Sequence, residues 1–365
     1  MEQYLQDLSR APLSWCENAE TFLQSDFWGA FKGSFAWKPH AFRAVWRDGG
    51  EKPLLALYRT LAAGRGFAYV PWGPDVPASF SASPEARTEL LLETARALKS
   101  FLPGSTAFIR FDPPWFSAGD EAAPRIFKPF CRAASDIQPP DTVIIDIKPP
   151  LDLILARMKP KWRYNIKLGA KKTRVSRADT HGLDTFYALL TETARRDRIA
   201  VHGIAYYKGL FDTAASHAGV DTRLYLAEAD GKPLAGIITL FRGKTAVYLY
   251  GASSSLNRNL MAAYALQWQA IRDAKDAGCT EYDLFGIPPL DSPKHPMAGL
   301  YLFKTGFGGR IIHRPGSWDY PVDFLFTKFF WAAEKFRKTL RGIHKTAKRF
   351  CRCAVTTAAQ HTRGQ

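Results

Sequence analysis

RMKPKWRYNIKLGAKKTRVSR, residues 157–177, holds nine Lys or Arg and no acidic residue. The cations are Arg157, Lys159, Lys161, Arg163, Lys167, Lys171, Lys172, Arg174 and Arg177, and Trp162, Tyr164, Ile166 and Leu168 are interleaved with them. Cations beside aromatic surface suit a polyanion that carries bases or sugars. The same pattern suits a solvated helix face, so the flanks have to decide.

Working outward, the stretch lies within a predicted helix over 151–172, close to the junction between two similar halves. Upstream, a helix is expected over 18–32 and strands over 41–47, 53–61 and 66–70. A helix over 84–102, with Ser83 as cap and Pro84 in its first turn, precedes a strand over 107–111. A Pro-rich segment, 112–150, contains one more strand-like run at 142–147. Downstream, helix 182–198 precedes strands 223–229, 234–241 and 245–250, with Asp230-Gly231 as a hairpin turn. Helix 260–277, stopped by Gly278, and strand 281–285 complete that half. Each half therefore reads helix, three strands, helix, strand, the plan of a GNAT-type acyltransferase sheet present twice. The expected fold class is α/β (α+β): two GNAT-like domains, each a mixed, mostly antiparallel sheet flanked by helices. The expected division is 1–150, 151–320 and a tail over 321–365.

The chain has 365 residues and a formal charge of +16, long enough for two cores. Residues 157–177 carry +9, and residues 328–365, with ten Lys or Arg and Glu334, carry another +9. The remaining residues therefore sit at −2, so an anionic partner is sought at those two segments. Phe329, Phe336, Leu340, Ile343, Ala347 and Phe350 recur at helical spacing among the tail's cations. Such a basic amphipathic helix fits an anionic membrane surface or packs on its own domain. The five cysteines show no ligand spacing, which suggests reduced thiols and no metal site. No signal peptide or membrane-spanning run is read, and a cytoplasmic chain is expected.

No GxSxG, HExxH, GxGxxG or P-loop pattern occurs. The loop GASSSLNRN at 251–259 lacks the glycines of a coenzyme A turn, so no cofactor is expected. LYLFKTGFGG at 300–309 sets Lys304 between Phe303 and Phe307 and before three glycines. A lysine among aromatic walls can stabilise a developing oxyanion; a surface lysine on a hairpin is the plainer reading.

Seven segments in order resemble the FemABX family of tRNA-dependent peptidoglycan peptidyltransferases. They are QSDFWGAFK (24–32), YVPWGP (69–74), KWRYNI (161–166), TARRDRIAVHGIAYY (193–207), VYLYGASS (247–254), YDLFGI (282–287) and FKTGFGG (303–309). The resemblance covers about Leu23 to Asp319 and implies a cleft between two GNAT-like domains. It implies that Lys32 and Arg196 hold the precursor's pyrophosphate, that Trp72 and Tyr250 line the channel, and that Phe303 and Lys304 stand near the transfer site. Two departures are visible. Trp72 stands where many members have arginine, and the coiled-coil arm of some members has no counterpart in the 25 or so residues after Gly182.

What the resemblance implies is aminolysis of an ester: an amino acid (Gly, Ala or Ser) passes from aminoacyl-tRNA to the side-chain amine of a stem-peptide diamino acid. The acceptor would be lipid II or UDP-MurNAc-pentapeptide. Such chemistry needs positioning and charge stabilisation, not a covalent nucleophile. Lys304 is the expected oxyanion stabiliser and Asp75 the candidate base. Lys159, Lys161, Arg163, Lys167, Lys171 and Lys172 are expected to contact tRNA phosphates. Trp162 and Tyr164 are expected to be buried anchors of their helix. A monomer is expected, with peripheral contact of 328–352 with the inner face of the membrane. Two other readings fit the residues: a GNAT acyltransferase for another amine, and a non-enzymatic RNA- or membrane-binding protein.

Overall fold

The computed structural model describes residues 3–61, 64–76, 80, 83–119, 121–288 and 297–336. In chain order, β1 (Leu5–Ala11) precedes α1 (Asp26–Gly33), β2 (Lys38–Trp46), β3 (Glu51–Thr60), β4 (Gly66–Val70), α2 (Pro84–Phe101) and β5 (Thr106–Phe111). Short strands β6 (Ser117–Ala118) and β7 (Cys131–Arg132) and the longer β8 (Asp141–Asp146) follow. Then come α3 (Leu151–Ala156), α4 (Pro160–Lys172), β9 (Arg174–Ala178), α5 (Leu183–Asp197) and α6 (Ile204–Ala215). The second half continues with β10 (Val220–Ala229), β11 (Lys232–Arg242), β12 (Thr245–Ser253), α7 (Ala262–Asp276), β13 (Glu281–Gly286) and α8 (Ala298–Thr305). Strands β14 (Arg310–His313) and β15 (Trp318–Pro321) and a helix over 324–336, here α9, end the described chain.

Two sheets result, ordered β1-β2-β3-β4-β5-β15-β7 and β6-β14-β8-β13-β12-β11-β10-β9. Each contains one parallel pair among antiparallel neighbours: β4 with β5, and β12 with β13. A parallel pair requires a crossover, and α2 and α7 supply the two. This is the repeated order read from the sequence.

The sheets do not divide at residue 150. β8 pairs with β13 and β14 in the second sheet, and β15 pairs with β5 in the first. The first half thus lends β6 and β8 to the second sheet, and the second half lends β15 to the first. The β-branched run TVIIDI marks 142–147 as a strand; it carries no information about which sheet edge the strand joins.

Several elements differ locally from expectation. The helix expected over 151–172 is two, because Pro160 has no N–H to donate and the preceding Lys159 takes an extended conformation (φ −56, ψ 145). The helix expected from Asn18 begins only at Asp26, where the Ser25 hydroxyl accepts from Trp28 N at 3.2 Å. Residues 298–305, read as hairpin-like, form α8. The amphipathic tail is helical over 324–336, and the rest of that expected helix lies outside the described residues.

A continuous apolar core joins the halves. Phe27 and Phe31 of α1 and Tyr69 of β4 share it with Phe186 of α5, Tyr207 of α6 and Leu240 of β11. Each aromatic side chain fully buried in this way contributes about 1.5–3 kcal/mol over its exposed state. The two sheets are therefore held as one body, and a cavity at the rim of this core has walls from both.

Candidate functional site

That cavity has a volume of about 620 Å³. α1 supplies Trp28 and Lys32, β3 supplies Arg59, and the segment entering β8 supplies Ile137, Gln138 and Pro139. From the second half come His202, Tyr206, Leu249, Tyr250 and Phe285. No Asp or Glu is among the described residues that line it.

Lys32 lies in the last turn of α1, and its Nζ donates to the Tyr206 hydroxyl at 3.4 Å. The ammonium is 5.3–5.9 Å from the ring centroids of Trp28, Phe31, Trp37 and Tyr206. Rings favour a cation at such distances. Burial, together with Arg59 beside it, nevertheless pulls the Lys32 pKa down to about 8. The exposed Arg59 guanidinium is 5.4 Å from the Trp37 ring centroid. His202 stacks on Tyr206 with centroids 3.8 Å apart, and burial and Lys32 lower its pKa. Tyr250 packs against Tyr207 at 5.1 Å, and burial pushes its phenol well above the ordinary range. Two cations and a histidine on an aromatic wall suit a ligand with phosphate oxygens and flat or ring-shaped groups.

Of the residues expected to bind substrate, Lys32 and Tyr250 are on the cavity wall, and Arg196, Trp72 and Phe303 are not. The Arg196 guanidinium donates to the Ser253 carbonyl at 2.7 Å and to Asp197 at 3.0 Å. The cation that Lys32 meets is Arg59. Trp72 is buried behind the wall, between Phe22 and Phe285, with the Arg314 guanidinium carbon 3.9 Å from its ring centroid. Asp75 is also buried away from the cavity. It accepts from Glu20 N at 3.0 Å, and burial raises its pKa to about 6. Its geometry is that of a loop anchor.

Lys304 sits at the end of α8, 5% exposed. Its Nζ donates to Gly286 O at 2.8 Å and to Phe285 O at 3.3 Å, with the Tyr248 ring centroid at 5.0 Å. Burial pulls its pKa down to about 7, against the opposing pull of Asp283. Asp283 itself accepts from Phe285 N at 2.7 Å and from the Thr142 hydroxyl. One peptide unit therefore separates Lys304 from the cavity face of Phe285. The FKTGFGG glycines serve packing. A Cβ at Gly306 would stand 2.1 Å from the Trp162 ring, and Gly308, at φ +80, leaves 2.4 Å to Arg157 O. Trp162 Nε1 donates to Phe303 O at 2.8 Å, which pins α4 to α8. Because Gly306 has an ordinary φ of −72, Gly306→Ala acts by overpacking. It is expected to cost about 1–3 kcal/mol in urea unfolding, with a shift in tryptophan emission.

Along α4, Lys159, Lys161, Lys167, Lys171 and Lys172 are exposed. Arg163 turns back and donates to Ala156 O at 3.0 Å and Met158 O at 3.1 Å. Trp162 is the anchor expected, half-buried against Tyr264 at 5.8 Å. Tyr164 is not: it is 64% exposed. Position i to i+2 turns about 200° round a helix, so the two aromatics face opposite ways. Sequence reasoning also passed over Arg59, on β3, and Trp37, just ahead of β2, which meet Lys32 only through folding.

Two sheets, each with its single parallel pair crossed by a helix, define a tandem GNAT-like acyltransferase fold. The chain belongs to the FemAB family, whose model matches residues 127–232 and 221–335, more than half of its length. The lipid II:glycine glycyltransferase of Staphylococcus saprophyticus is 25% identical over 252 residues, 51% of this chain and 60% of that protein. That of Staphylococcus aureus is 25% identical over 257 residues, with the same shares. The chain thus spans 60% of the length of these curated relatives. The crystal structure of FemX superposes with a TM-score of 0.71 at 20% identity, covering 89% of this chain and 100% of that one. This likeness concerns the fold.

Proposed function

We propose that the chain moves an amino acid from aminoacyl-tRNA to the side-chain amine of a peptidoglycan precursor, and that the cavity beside Lys32 holds the precursor's pyrophosphate. The observation that carries this reading is Lys32 and Arg59 meeting on an aromatic wall with no described acid lining it. Family membership and the names of the relatives supply the reaction class. In the reaction the acceptor amine attacks the ester carbonyl carbon. The amide bond forms as the carbon–oxygen bond to the ribose breaks, and the proton lost by the amine leaves on the ribose hydroxyl. Lys304, buried and one peptide from the cavity wall, supplies positive charge close to the developing oxyanion. The exposed cations of α4 receive the tRNA backbone.

A lipid-linked acceptor is favoured by α9. Phe326 and Phe330 pack on the core shared by the two halves, while Leu325, Phe329 and Phe336 remain exposed on the other side. An apolar stripe beside lysines suits a membrane surface, and among the described residues no helix is long and apolar enough to cross one. The test is transfer of labelled glycine, alanine or serine from charged tRNA to lipid II and to UDP-MurNAc-pentapeptide, with labelled acetyl-coenzyme A as control. Transfer from tRNA, greater to lipid II in vesicles, is expected. Transfer only of acetyl would overturn the reading.

A further inference from the structure

Tyr164 projects from a helix that is otherwise fastened to the protein on its other side. It is 64% exposed and makes no ring contact or hydrogen bond among the described residues. Lys161, Lys167 and Lys171 stand at i−3, i+3 and i+7, all exposed and all on its side of α4. The opposite side is fixed: Asn165, Ile166 and Gly169 are buried, and a Cβ at Gly169 would stand 2.6 Å from Met261 O on the neighbouring element. The residue is thus carried at a fixed place on a packed helix, with three exposed lysines on the same side. An exposed phenol costs little to immobilise and offers a flat face, while the lysines supply positive charge for a nucleic-acid backbone.

From this geometry we infer that Tyr164 is a stacking platform for an unpaired RNA base, with the three lysines on the flanking phosphates. The inference rests on the proposed use of tRNA and adds which part of an RNA α4 recognises: a single-stranded end rather than duplex. The anchor Trp162 joins the other side of α4 to α8, so α4 itself stands between a strand laid on Tyr164 and the element that carries Lys304. An apolar membrane contact fits less well, because a single ring among lysines offers little apolar area.

The test uses the full chain and an uncharged RNA hairpin with a four-nucleotide 3′ overhang, beside the same hairpin blunt-ended. Tyr164→Ala is expected to weaken overhang binding about tenfold, to leave blunt-hairpin binding unchanged, and to keep the slope of log K against log salt. Tyr164→Phe should retain the affinity. Lys161→Glu/Lys167→Glu/Lys171→Glu should weaken both RNAs and flatten the salt slope. Equal loss for both RNAs on Tyr164→Ala, or no loss, overturns the stacking role while leaving the tRNA reading intact. An unchanged triple variant removes the α4 reading altogether. Loss of anionic-vesicle binding by Tyr164→Ala without loss of RNA binding would assign the ring to a membrane instead.

Discussion

Lys32→Ala is expected to weaken binding of a pyrophosphate-bearing acceptor by about 10- to 100-fold, the worth of one or two charge-assisted hydrogen bonds. Arg59→Ala should follow in the same direction, and Arg196→Ala should change binding little, because its guanidinium is already engaged by Ser253 and Asp197. Titration calorimetry with UDP-MurNAc-pentapeptide measures all three. The pH dependence gives a sharper signature. Lys32 binds the anion as a cation, and its pKa in the empty cavity is about 8. Affinity should therefore be level below pH 8 and fall as the pH rises through it, by at most tenfold per unit. Lys32→Arg keeps the charge and does not titrate in this range, so its profile should stay flat. A wild-type profile level to pH 10 would contradict the assignment.

Arg110→Ala should lower the unfolding free energy by about 3–5 kcal/mol, the cost of stranding one member of a buried ion pair. Arg110, on β5, is 3% exposed, and Asp319, on β15, is 0% exposed. Nε and an Nη of Arg110 donate to the two Asp319 oxygens at 2.7 and 2.8 Å, and Trp331 Nε1 donates to the same carboxylate at 2.7 Å. Glu334 of α9 accepts from the guanidinium at 3.2–3.3 Å. The network therefore clamps the strand lent from the far end of the chain, and α9 with it. Burial already raises the Asp319 pKa, and Arg110 opposes that rise. Without Arg110 the folded-state pKa climbs further above the unfolded value. The deficit is then full above the folded pKa and disappears as the pH falls toward the unfolded one. Urea unfolding at neutral pH and at about pH 5 should show the variant's deficit shrinking on acidification. Arg110→Met/Asp319→Leu should recover part of the loss, since it removes both members of the buried pair and leaves only the partly exposed Glu334 without its partner.

What could be read from residues alone varied with the range of the forces involved. The strands and helices of each half follow from apolar periodicity and from punctuation such as Asp230-Gly231 and Gly278, because these are local. The break at Pro160 was equally local and could have been read from proline's missing N–H. Tyr164 was open to reading too: once α4 is a helix, it cannot share a face with Trp162. The ordered motifs that resemble FemABX led to Lys32 and Tyr250, yet nothing near Arg59 marks it as a companion of Lys32. Arg196 stands off the cavity wall, where Asp197 and Ser253 hold its guanidinium.

The sequence by itself determined two acyltransferase-like halves, the family, and two concentrations of positive charge, since periodicity and charge are properties of neighbours along the chain. Only the tertiary structure decided the rest. It exchanged β8 and β15 between the sheets, because strand edges pair wherever backbone groups are free. It drew Lys32 and Arg59 onto one cavity and set Lys304 one peptide behind the wall, because burying the shared aromatic core brings distant segments together and removes the water that would otherwise keep those lysines at their ordinary pKa.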